Sequence, residues 1–139
     1  MGDTTIDHLS RIPMFSGLRK KDLAEVSRIA MPMRAPAGRE LTHEGTSGHQ
    51  AFLVLDGSVT VKRNNRRIAQ RGAGSLIGEL SLLDGGMRTA TVTCDTDCDL
   101  LVMSRPEFRA VVTSNSAVAR TVLAELAGRV RELDRAYYG

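Results

Sequence analysis

The chain has no tryptophan, only two cysteines, few aromatics and no long apolar run. Each shortage excludes something. Cys94 and Cys98 enclose Asp95-Thr96-Asp97; the spacing is not CxxC, and no second cysteine pair exists for a zinc site. The two fit opposite ends of a hairpin turn, where geometry allows a disulfide. Two reduced thiols are the expectation for a cytoplasmic protein. No stretch approaches the roughly 20 apolar residues of a spanning helix. The first residues, MGDTTIDHLSR, lack a signal-peptide core and the arginine content of a transit peptide. Ile6 stands where a myristoylation signal has Ser or Thr. A cytoplasmic chain is expected.

What is present is an ordinary globular composition. The 139 residues are 42% hydrophobic and 25% charged, enough for one domain with a real core. The formal net charge is +3, which permits nucleic-acid binding without establishing it. One basic cluster occurs, KRNNRR at 62–67, with Asn64-Asn65 as a hairpin tip. It reads either as a contact for phosphate or an acidic partner, or as solvated arginines blunting a hairpin. The lack of interleaved aromatics favours solvated arginines.

Periodicity divides the chain into helices at 4–30, a β region at 31–104 and helices at 105–138, all one domain. TTIDHLSRI predicts a short amphipathic helix ended by Pro13, and RKKDLAEVSRIA a second one with Leu23, Val26 and Ile29 on one face. From Met31 to Ser104 the segments are short, β-rich and split by glycines, which predicts an antiparallel barrel or sandwich. Ser104-Arg-Pro-Glu107 reads as a capping box opening a helix to about Val112. TSNS at 113–116 breaks it and caps a last helix from Ala117 to about Tyr138. That helix places Ala119, Leu123, Leu126, Val130, Leu133 and Tyr137 at alternating steps of four and three, a short heptad seam. The seam serves a dimer interface, a lid over a ligand, or ordinary packing on the barrel.

The most distinctive stretch is GELSLLDGGMRTATV, residues 78–92. It reads as one helical turn, a glycine stop and a returning strand. The first amides of the turn lack intrahelical acceptors and favour an anion. Gly78 permits close approach of a ligand to the backbone. Arg88 begins the strand and brings a planar guanidinium fork suited to two phosphate oxygens. Thr89 adds a hydroxyl, and Thr89 and Ala90 add amides. Glu79 opposes a phosphate unless it accepts from a neighbouring sugar hydroxyl, as an acidic residue does for ribose in dinucleotide folds. The site then reads sugar plus phosphate. The other reading is a Glu79–Arg88 salt bridge closing the turn.

GELSLLDGGMRTATV closely resembles the phosphate-binding cassette of the cyclic nucleotide-binding domain family, which occurs in catabolite activator protein, protein kinase A regulatory subunits and cyclic nucleotide-gated channels. Gly78-Glu79-Leu80 and Arg88-Thr89-Ala90 match its two ends. Gly38, Gly45, Gly48 and Gly57 match its glycine framework. The resemblance runs from about Met14 to the last helix. It implies an α+β fold, a jelly-roll, cupin-like β-barrel flanked by N-terminal helices and a long C-terminal helix. It implies a regulatory signal-transduction domain that binds cyclic AMP, with cyclic GMP second, and no catalytic cofactor. Glu79 then accepts from the ribose 2′-hydroxyl and Arg88 binds the cyclic phosphate. Gly78, Leu80, Thr89 and Ala90 supply backbone and hydroxyl contacts, and Val61 and Ile68 touch the apolar faces of the nucleotide. The last helix caps the purine, which points to Arg131, Leu133, Asp134 or Tyr137, with Asp134 accepting from the adenine 6-amino group. Met87 departs from a common Pro, and Ile77 from a common Phe. Cys98 falls where the family often has a core cysteine.

No Ser-His-Asp or Cys-His arrangement is evident, so a sensor and not an enzyme is expected. The alternatives are a ligand-free interaction scaffold and a cupin-like metalloenzyme using His43, Glu44 and His49. Cupin metal sites want paired histidines on strands, whereas these lie on a glycine-containing loop. Relatives that bind DNA carry a helix-turn-helix after the long helix. This chain has no room for one before Gly139, so direct DNA binding is not expected. The expected partners are the nucleotide, an effector protein and a second copy through the last helix.

Overall fold

The structure, a computed structural model, describes residues 2–138, excluding the side chains of 2–4, Leu80 and 136–138. Helix α1 (Gly2–Ser10) is followed by a single 3-10 turn at Pro13–Phe15 and by α2 (Lys20–Ile29). The strands are β1 (Ala30–Ala35), β2 (Glu40–Thr42), β3 (Gln50–Asp56), β4 (Val59–Arg63), β5 (Arg66–Arg71), β6 (Leu76–Ile77), β7 (Thr91–Cys94) and β8 (Cys98–Ser104). A short helix α3 (Glu79–Asp84) interrupts them between β6 and β7, and α4 (Arg105–Ser114) and α5 (Ser116–Tyr138) close the chain.

The strands form two four-stranded sheets, ordered β1-β8-β3-β6 and β2-β7-β4-β5. All pairings are antiparallel. The expected jelly roll is therefore present as two facing sheets that do not join into a closed barrel. Phe52, Val54, Val59, Ile77, Val92, Leu100 and Val102 fill the space between the sheets. Leu53, Leu101 and Met103 face the other way, onto Leu9, Phe15, Leu23, Val26, Phe108, Val118 and Val122 of the helical layer. β3 and β8 are thus covered on both faces, which is why AFLVL and LLVM are continuous apolar runs and do not alternate.

Local chemistry fixes the joints. Asn64 and Asn65 take φ of 52° and 63° at the β4–β5 tip, the paired left-handed conformation of a tight hairpin. The Ser104 hydroxyl accepts the Glu107 amide at 3.5 Å and caps α4, but the Glu107 carboxylate accepts from that hydroxyl at 2.8 Å and not from the Ser104 amide, so the expected capping box is only half formed. Asn115 caps α5, its side-chain oxygen accepting from the Val118 amide at 3.1 Å. The same side chain donates to Asp22 at 3.0 Å and Glu25 at 2.5 Å, so the α4–α5 joint is tied to α2.

One expected boundary moves. The strand expected from Arg88 starts only at Thr91. Arg88 is instead held by the loop before β3: its amide donates to Thr46 O at 2.8 Å, and its carbonyl accepts from Gly45 at 2.9 Å. Cys94 and Cys98 are free, buried thiols at the two ends of the β7–β8 turn. Burial and the neighbouring Cys98 push the Cys94 thiol up to about 11.

Candidate functional site

Segment 78–92 leaves β6, turns through α3 and returns as β7. Gly78 caps the turn with φ of +81° in the left-handed region, where a side chain is strained. Space excludes a side chain as well: a Cβ there would lie 2.5 Å from Arg88 Nη1. Gly48 is required by contact alone, since a Cβ would lie 2.5 Å from the Ser81 Cβ and 2.9 Å from the Arg88 Cζ. The glycine framework is thus partly a mould around one guanidinium.

Arg88 is buried, at 7% exposure. Its Nη1 donates to the Gly78 carbonyl at 2.9 Å and its Nη2 to the Gln50 carbonyl at 2.6 Å. These bonds fix the plane of the fork without cancelling its charge. Among the described residues no carboxylate reaches it at ion-pair distance. Burial draws its pKa down from the usual value, opposed by the more distant charge of Glu79. A preorganised, desolvated and uncompensated cation is suited to an anion.

Glu79 opens α3 and is 1% exposed. It does not pair with Arg88. Its Oε1 accepts from Arg129 Nη1 of α5 at 2.5 Å. Arg129 Nη2 donates to the Leu76 carbonyl and, at 3.5 Å, to Glu125. The buried Arg129 Nε has no partner among the described residues. Burial pushes the Glu79 carboxyl up, and the Arg129 charge opposes that shift. The two charges that bracket the cassette are therefore held apart, each by its own long-range partners.

Between them lies a cavity of about 270 Å³. Gly78, Glu79, Ser81, Arg88, Thr89 and Ala90 supply one side. Val61 and Arg63 of β4 and Ile68, Ala69 and Arg71 of β5 supply another, and Arg129, Glu132 and Leu133 of α5 lie against it. In the β4–β5 register Val61 faces Ala69 and Lys62 faces Arg67, so Ile68 is an extra residue in β5. That bulge is how the consecutive residues Ile68 and Ala69 both line the cavity. A larger groove of about 670 Å³ lies between α1 and the other sheet. Its Arg34 is spent on Asp99 at 2.9 Å. Size alone does not make it the functional site; the smaller cavity holds the convergent buried charges.

The expected positions Gly78, Glu79, Arg88, Thr89, Ala90, Val61, Ile68 and Leu133 come together around this cavity. Arg131 and Asp134 do not: both are exposed and neither lines it. The side chains of Leu80 and Tyr137 lie outside the described residues. His43 pairs with Glu40 at 3.0 Å, and Glu44 accepts the Asn64 amide at 2.9 Å. With His49 they form no metal cluster, nor does any trio among the described residues. The residues that sequence reasoning missed are Arg129 and the Arg71–Glu132 pair, joined at 3.0 Å. The available signal was helical spacing: Glu125, Arg129, Glu132 and Leu133 recur at three- and four-residue steps on one face.

Two facing sheets, a flanking helix and a buried guanidinium–carboxylate cavity define a ligand-binding jelly roll. Residues 32–115 match the family model of the cyclic nucleotide-binding domain, and the chain belongs to that family. It is 32% identical over 114 residues to a cyclic nucleotide-gated potassium channel of Rhizobium etli, covering 82% of this chain and 32% of the channel. It is 32% identical over 127 residues to the cyclic AMP receptor protein of Thermus thermophilus, covering 88% of this chain and 59% of that protein. A crystal structure of a cyclic nucleotide-binding domain from Methylobacillus flagellatus superposes with a TM-score of 0.81 at 25% identity, covering 98% of this chain and 82% of that one. The chain thus spans about a third to three-fifths of these two curated relatives. What matches is a ligand-binding domain. No helix among the described residues is long and apolar enough to cross a membrane.

Proposed function

We propose that the chain is a cyclic AMP sensor, with cyclic GMP the weaker ligand, and that it relays occupancy through α5 to a partner or attached effector. The observation that carries this reading is the separate support of Arg88 and Glu79 at one cavity. Arg88 takes the cyclic phosphate. Thr89 and the backbone of Gly78 and Ala90 add donors, with Leu80 beside them in the cassette. Glu79 accepts from the ribose 2′-hydroxyl through Oε2, since Oε1 holds Arg129. Val61, Ile68 and Leu133 offer apolar surface to the purine.

The carboxylate for the adenine 6-amino group is Glu132, in place of Asp134, which lies off the cavity. Glu132 lines the cavity, and the Arg71 bond holds its pKa below the ordinary value, so it is ionised at neutral pH. Guanine presents a carbonyl there and meets the carboxylate repulsively; selectivity rests on that mismatch. α5 is clamped by Arg129 and by Arg71–Glu132, both at the cavity. A nucleotide that engages Glu79 and Glu132 beside these clamps shifts the helix by the difference in its affinity for the two positions. Leu123 and Val130 leave α5 63% and 58% exposed on its outer side, a surface for a second copy.

Calorimetry tests the reading. Cyclic AMP should bind more tightly than cyclic GMP. Glu79→Gln should weaken cyclic AMP markedly and hardly affect its 2′-deoxy analogue, which lacks the hydroxyl already. One observation favours a ligand-free scaffold: Arg129 already satisfies Glu79 from within the chain. Heat of binding to neither nucleotide would establish that reading instead.

A further inference from the structure

The basic cluster at 62–67 does not behave as one solvated patch. Lys62, Arg66 and Arg67 lie outside the cavity, whereas Arg63 lines it. Strand alternation gives the reason: Val59, Val61 and Arg63 share one face of β4, running from the core to the cavity. Arg63 follows the Lys62–Thr91 pair and so lies beside the start of β7, next to the cassette. Its Nε donates to the Thr89 carbonyl at 3.1 Å. That bond uses one donor of the guanidinium and none of its charge. Glu44, bonded to the same hairpin, accepts the Asn64 amide and makes no ion pair with Arg63.

The cavity therefore has two guanidiniums without a carboxylate partner among the described residues: Arg88, buried, and Arg63, exposed. The other two are matched, Arg129 with Glu79 and Arg71 with Glu132. Both unmatched cations are tied to the same three-residue segment, Arg88 by belonging to it and Arg63 by its bond to Thr89. We infer that Arg63 is a second phosphate contact, reaching the anion from the solvent side while Arg88 holds it from within. This rests on the proposed cyclic nucleotide reading. The two arginines divide the work. A buried, carbonyl-braced cation governs how long the ligand stays, and an exposed one governs how fast an anion arrives.

Stopped-flow binding of a fluorescent cyclic AMP analogue tests the division at low and high salt. Arg63→Gln should slow association about tenfold at low salt and flatten its salt dependence. Dissociation should change less. Arg63→Lys, which keeps the charge, should restore most of the association rate. Arg66→Gln, on the same hairpin but outside the cavity, should match the unsubstituted chain; a loss equal to that of Arg63→Gln would reduce the effect to general hairpin charge and overturn the assignment. So would association kinetics of Arg63→Gln indistinguishable from the unsubstituted chain. If the unsubstituted chain binds no cyclic nucleotide, the functional reading itself fails and this inference falls with it.

Discussion

Arg129 on α5 and Glu79 on α3 meet at 2.5 Å although 50 positions separate them. The contact places a cation from the last helix on the carboxylate proposed to read the ribose. It makes the helix and the cassette one electrostatic unit. Arg129→Ala should strand a carboxylate that is 1% exposed. The expected cost is about 2 kcal/mol, below the value for a fully buried pair because Arg129 is partly solvated. Urea unfolding of Arg129→Ala, Glu79→Gln and the double variant measures the coupling. Additive losses would mean that the two residues do not act together.

Arg88 has a structural role beside its ligand role. Arg88→Ala frees two backbone carbonyls, those of Gly78 and Gln50. The variant should fold with a stability loss of about 1–3 kcal/mol. Its nucleotide affinity should fall by about 2–5 kcal/mol. Affinity equal to that of the unsubstituted chain would remove Arg88 from the site.

Gly48→Ala probes the mould around Arg88. Its backbone is not in the left-handed region, so the effect is steric. The added methyl overlaps Ser81 and the guanidinium, at an expected cost of about 1–3 kcal/mol. Nucleotide affinity should drop with stability, because relief requires Arg88 to move. Thermal unfolding and calorimetry on the same sample measure both losses.

Asp22 supplies a pH dependence. The Asn115 side-chain bond, then the Arg19 amide, hold its carboxyl below the ordinary value of 3.8. The folded chain therefore binds fewer protons there than the unfolded chain. The stabilisation is complete above 3.8 and drains away as the pH falls through the folded value. Asp22→Asn should flatten this part of the acid limb of stability against pH. An unchanged limb would show that the link from α2 to the α4–α5 joint carries no weight.

Val130 tests self-association. It is 58% exposed on α5, one turn before Leu133. Sedimentation of the unsubstituted chain should show a dimer that Val130→Arg converts to monomer, with little change in monomer stability. A monomer in both cases would end the homodimer proposal.

The heptad seam shows how far periodicity carries an argument. It places a helix correctly but not its rotation about its own axis. Leu126 packs on the core and Leu133 faces the cavity, while Leu123 and Val130 of the same seam point to solvent. Apolar spacing is satisfied by more than one rotation; the one observed buries Val118 and Val122 and brings Arg129 and Glu132 into ion pairs. Asp134 misses the cavity for the same reason: it directly follows Leu133, which turns it about 100° around the helix from that residue.

Strand runs, turn asparagines, the Ser104 cap and the cassette spacing are local features, and residues close in sequence suffice to set them. They determined the order of the elements, an antiparallel barrel or sandwich, and the presence of Gly78, Glu79 and Arg88 beside one turn; the jelly-roll class came with the family resemblance. Tertiary structure decided what those charges bind. Arg88 is braced by the carbonyl of Gln50, Glu79 by a helix 50 positions away, and Arg63 by Thr89. An arginine carries the same donors whether it is solvated, paired with a carboxylate or turned toward a cavity. Which of these it does depends on the desolvation and the acceptors that distant strands and helices bring to it, and no spacing along the chain encodes that.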